Sequence, residues 1–195
     1  MPLRALMVAL RFSIGRSCSP VQCLRAYFPR DVATRSPTER RLADKIRNRV
    51  ITDLLFTCTT QTVATAVQLA NRQRIWRYQY DAAFPNLQLF PNAGAYHTAE
   101  IPSVWGTYPT TNEFGSVTPT QIALSSYMQG AWAGFAKNPS NGPGWPRLGS
   151  ALGVELGALG SDQAPSGEKT VPLLQADYAC ALYDPILIAA NLACS

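Results

Sequence analysis

Leu42, Ile46, Val50, Leu54 and Cys58 fall at every fourth position and hand over to Val63, Val67 and Ala70. An apolar stripe that drifts slowly around a 3.6-residue period predicts one long helix or two abutting helices over 37–72. The absence of period-two alternation argues against a strand at 50–64. The start is marked by Ser36-Pro37-Thr38-Glu39, a capping box in which the hydroxyl accepts a backbone N–H and the glutamate reaches back. Pro37 at the first helical position removes an N–H that would be orphaned anyway. A second box, Thr118-Pro119-Thr120-Gln121, opens a helix whose face carries Leu124, Met128, Ala131 and Phe135 and which stops at Lys137-Asn138-Pro139.

Between these helices, Ile75-Trp76-Arg77-Tyr78-Gln79-Tyr80 is aromatic and β-branched enough to predict a strand. The segment 82–94 is rich in proline, asparagine and glycine and reads as a loop, so the following GAYH lies just beyond the carboxyl end of that strand. In α/β sheets this is a common place for functional side chains. Further on, 152–159 reads as a short strand, 162–170 as a polar loop, and 183–192 as a closing helix. The class is α/β.

Charge changes this picture little. Residues 1–49 carry 11 Lys and Arg against Asp31, Glu39 and Asp44, while 50–195 carry six basic residues against nine acidic ones. The net charge of +5 therefore belongs to an amino-terminal arm and not to the folded body. A nucleic-acid surface needs its cations gathered on a folded face, so no nucleic-acid partner is expected. The arm, 1–35, reads as a poorly ordered basic segment without a convincing secretory signal, and no apolar run reaches the roughly 20 residues of a membrane span. Cys18, Cys23, Cys58, Cys180 and Cys194 show no paired CxxC spacing, and with a single histidine no metal or cofactor site is expected.

That histidine, His97, is ambiguous on its own. A lone loop histidine is most often structural, yet imidazole is also the natural proton shuttle for a hydroxyl nucleophile. No G-x-S-x-G occurs anywhere in the chain, and Gly149-Ser150-Ala151-Leu152-Gly153 has its serine in the wrong slot. There is no HGGG-type run to supply oxyanion donors.

Five segments carry a family resemblance: DLLFTCTTQ (53–61), WRYQYDAAFPN (76–86), GAYHTAEIPSVWGT (94–107), SYMQGAWAGFAKNPSNGPGWP (126–146) and CALYD (180–184). In order and spacing they resemble the carboxyl-terminal third of type-B carboxylesterases, the carboxylesterase and cholinesterase family, and its fungal members above all. The resemblance covers about 37–188. It implies that 36–195 is the C-terminal part of an α/β-hydrolase fold, a partial sheet with packing helices. It also implies that His97 is the general base of a Ser, Glu, His triad, that no cofactor is needed and that the full-length substrate is an ester. In that fold the chain order is serine, acid, histidine, so both partners of His97 are expected upstream and absent here. The chain is then expected to be inactive alone, or else a non-enzymatic module that pairs with an amino-terminal esterase fragment. Family members are typically secreted. The resemblance further implies a disulfide between Cys58 and Cys180, the alternative being two buried thiols. Trp105 is expected to wedge the histidine loop.

Overall fold

In this computed structural model, residues 36–71, 73–149 and 155–183 are described. The chain divides into two units, the described residues 36–50 belonging to the first and those from 51 onward to the second. The basic arm and most of the expected closing helix lie outside the described residues.

The long apolar stripe is helical throughout. Helix α1 spans Pro37–Thr52, a π-helical turn follows at Asp53–Thr57, and α2 continues from Cys58–Asn71. Residues 43–70 of this run are long and apolar enough, at a mean hydropathy of 1.2, to cross a membrane. Its later part belongs to the second unit, where Asp53, Cys58 and Ala64 are buried and Gln68 Nε2 donates to the Leu148 carbonyl at 3.3 Å.

The second unit is built on a three-stranded sheet in the order β1-β4-β5, with β1 at Tyr78–Tyr80, β4 at Glu155–Ser161 and β5 at Ala164–Pro172. Strand β1 is shorter than its aromatic run suggested, but the pairing reaches past it: Gly157 N–H donates to Arg77 O (3.1 Å) and Asp81 N–H to Leu159 O (2.9 Å). β1 and β4 run parallel and β4 and β5 antiparallel. The expected polar loop at 162–170 is therefore corrected, because most of it is β5. Its polar residues belong to an edge strand with an exposed face, where a proline such as Pro165 is tolerated because the outward N–H needs no partner. Only Asp162 and Gln163 turn the hairpin. Just before them the register slips between Leu159 and Ser161, and Gly160 takes a left-handed φ of 68°, as a bulge requires. A side chain there would also strike Ala82 and Leu124.

Short helix α3 (Ile101–Trp105), the two-residue strands β2 (Thr111–Asn112) and β3 (Gly115–Ser116), α4 (Pro119–Lys137) and α5 (Leu173–Asp177) complete the unit. The second capping box forms in part, since Thr118 Oγ1 accepts the Gln121 N–H at 3.1 Å. Leu124 and Met128 of α4 enter the core with Phe84, Leu87, Trp145 and Leu159, while Ala131 and Trp132 pack against it. Two links hold α5 and the turn after it. Arg77 meets Asp177 through paired guanidinium-carboxylate bonds of 2.6 and 2.9 Å, with each side chain 7% exposed. Cys58 and Cys180, 122 residues apart, form a disulfide, as the resemblance implied.

Candidate functional site

His97 lies in a turn between β1 and α3, and the loop that carries it is fastened by side chains to backbone. Gln88 grips Gly94, accepting its N–H at 2.9 Å and donating to its carbonyl at 3.4 Å. Tyr96 Oη donates to Leu87 O at 2.7 Å, and Asn112 Nδ2 donates to Gln88 O at 3.2 Å. Turn bonds from Ala99 N–H to Tyr96 O (3.0 Å) and from Ile101 N–H to Thr98 O (3.1 Å) close the chain around the histidine. Gly94, at φ 71°, supplies a backbone shape that L side chains avoid.

Thr98, the next residue after His97, has φ 79°. A β-branched residue in that region is an outlier, costing on the order of 1–3 kcal/mol, and such costs concentrate at functional sites. The strain turns the chain sharply beneath His97, so Ala99 is buried while His97 stands exposed. Among the described residues neither imidazole nitrogen is engaged in a hydrogen bond or an ion pair. The ring instead lies beside Phe56 of the π turn, with centroids 4.7 Å apart and planes tilted by 33°.

Serines near the loop are occupied. Ser103 and Ser125 are buried; Ser125 Oγ donates to Ser103 O at 2.6 Å, Gln129 Nε2 donates to Ser125 Oγ at 3.0 Å, and Tyr80 Oη lies 3.2 Å from Ser103 Oγ. This chain of bonds ties β1, α3 and α4 together beneath the histidine loop. Burial raises the hydroxyl pKa of Tyr80 above 10.0, an effect that the Ser103 bond opposes and the Glu100 charge reinforces. Burial, followed by Glu100, raises Tyr78 in the same way. Glu100 thus adds to the effect of burial at both tyrosines. No group of three His, Cys, Asp or Glu side chains converges among the described residues.

Trp105 does not wedge the loop. It is 73% exposed at the end of α3, where Gly106 closes the helix in the left-handed conformation (φ 66°). The residues that do hold the loop, Gln88 and Tyr96, were not singled out by the sequence, and neither was Phe56. Phe56 lies within DLLFTCTTQ, yet periodicity alone does not bring it to the histidine.

The profile of the carboxylesterase family matches residues 22–158. It begins earlier than the resemblance read from the five segments and stops short of Cys180. Secreted lipase 5 of Gibberella zeae is 43% identical over 75 residues, which is 37% of this chain and 14% of the lipase. Chlorogenic acid esterase of Aspergillus niger is 35% identical over 94 residues, 48% of this chain and 18% of that enzyme. The aligned chain thus spans less than a fifth of either relative. The family implies an α/β-hydrolase fold, with which the helices and small mixed sheet are consistent. With well over half its length matched, the chain belongs to the carboxylesterase family, the type-B carboxylesterases.

Proposed function

We propose that this chain is the C-terminal part of an α/β-hydrolase domain and contributes His97 as the general base of carboxylic ester hydrolysis. The observation that carries the reading is the placement of His97: exposed, with both ring nitrogens open among the described residues, on a loop fastened through Gln88 and Tyr96 beyond the end of a sheet strand. In such a site one ring nitrogen takes the proton of a serine hydroxyl as it attacks the ester carbonyl, then returns it to the departing alcohol. The other nitrogen is fixed by a carboxylate. The 195 residues contain no G-x-S-x-G, and the buried serines below the loop are committed to other bonds. On this reading the nucleophile and the acid are supplied by residues outside this sequence. A carboxylic ester substrate accords with the lipase and chlorogenic acid esterase among the relatives.

The chain alone is expected to take up no organophosphonate serine probe, as read by intact mass. Stoichiometric labelling of any serine overturns the reading, because it would place a working nucleophile within these residues.

One observation favours pairing with a complementary esterase segment. In a parallel ladder the backbone groups of alternate residues point to opposite sides. Arg77 and Asp81 bond to β4, so the N–H and C=O groups of Tyr78 and Tyr80 point away from it, where no strand among the described residues lies. Beside that edge runs a cavity of about 480 Å³ between α2 and β1, lined by Val63, Ala64, Val67, Ile75, Trp76 and Tyr78 among others. Unpaired edges with adjoining apolar surface favour addition of a strand. Co-expression with a segment bearing G-x-S-x-G from a family member is expected to restore ester hydrolysis, and His97→Ala to abolish it. Undiminished hydrolysis by H97A would assign the proton transfer elsewhere.

A further inference from the structure

We infer that Phe56 is the positioning residue of His97, presented by the π-helical turn and held there by the Cys58–Cys180 disulfide. This rests on the reading of His97 as the base and identifies what orients its ring from the side opposite its own loop.

The π turn supplies the geometry. Cys58 N–H donates to Asp53 O, a bond that spans five residues instead of four. Asp53 is 1% exposed and Cys58 0%, while Leu55 and Phe56 between them are 57% and 40% exposed. In an α-helix, positions five apart point about 140° away from each other, so these two could not share one buried face. The wider π turn brings them back to within about 50°. The extra residue is accommodated by bulging the chain outward at 55–56. Phe56 is carried on that bulge to the imidazole.

Both anchors are fixed. Cys58 is covalently tied to Cys180, and the segment carrying Cys180 is held a second time by the buried Arg77–Asp177 pair three residues earlier. The opposite wall, the histidine loop, is held by Gln88 and Tyr96. Phe56 and His97 thus meet from two independently fastened elements. A flat apolar ring beside an exposed imidazole restricts its torsions without occupying either nitrogen, leaving one for proton transfer and the other for the orienting carboxylate.

Because the chain holds one histidine, isotope labelling of histidine gives one set of ring signals in the NMR spectrum of the full chain. The His97 ring protons are expected to be displaced from free-imidazole positions by the aromatic ring current of Phe56. Phe56→Leu should abolish the displacement and Phe56→Tyr should retain it. Cys58→Ala with Cys180→Ala should reduce it while near-ultraviolet dichroism from the packed tryptophans persists. Signals unmoved by F56L overturn the inference, and signals unmoved by the cysteine pair overturn the role of the disulfide. In the complemented esterase F56L should lower kcat and leave KM unchanged, with F56Y restoring kcat; an equal loss in F56Y would reduce Phe56 to a packing residue. If H97A left that esterase active, the reading of His97 would fail while the ring signals still reported on Phe56, so the two failures are distinguishable.

Discussion

Tyr80 shows how much one residue can join. Its ring packs against the core, its hydroxyl meets Ser103, and Glu100 bears on it electrostatically. Its pKa is raised on folding, so the folded state keeps the proton that the unfolded chain loses above the ordinary value of 10.0. The sign follows from linkage: below that value both states are neutral and the group costs nothing. As pH rises past it the unfolded state binds fewer protons, and stability falls. Alkaline titration of melting temperature should therefore show a decline above about pH 10 that is shallower in Tyr80→Phe. At this scale the sequence was informative where residue type dictates chemistry. The lone histidine was bound to attract attention, whereas Cys58 and Cys180 were paired only through family resemblance. Thr98 was not legible, because its left-handed backbone is imposed by turn bonds on either side and no residue preference announces it.

At the scale of elements, periodicity served the helices well and the sheet less well. The stripe from Leu42 to Cys58 steps by four residues, but Leu42, Ile46 and Val50 lie in regular α1 and only the step from Leu54 to Cys58 falls on the π turn. Read only as drift, it gave the right helix without the feature that delivers Phe56. Strand β5 was hidden because its polar alternation, broken by Pro165 and Gly167, looks like a loop unless a partner is known to lie along one side. The junction of β1 and α5 depends on Arg77 and Asp177, a hundred residues apart and both buried. Asp177→Ala should cost about 3–5 kcal/mol in chemical denaturation, because it strands a buried guanidinium. A double replacement by Met and Leu should cost much less, since both charges leave together.

For the whole molecule, the dominant restraint is the disulfide. Closing a loop across 122 residues stabilises by about 5 kcal/mol in the chain-entropy model. The denaturation midpoint of the second unit should fall accordingly on reduction, and an unchanged midpoint would mean that the unfolded chain is already restrained near these cysteines. The α/β class was readable from a strand placed between capped helices. The order β1-β4-β5 was not, because nothing local in WRYQY states which later strand it meets.

That order has a temporal side. The β4–β5 hairpin joins residues close in sequence and can close early, with Gly160 setting its bend. Tyr78 must wait for Gly157, so the parallel contact carries the entropy of a loop that contains α3, α4 and His97 itself. The histidine loop therefore lies inside the segment that this parallel contact must close, a longer-range event than closing the hairpin.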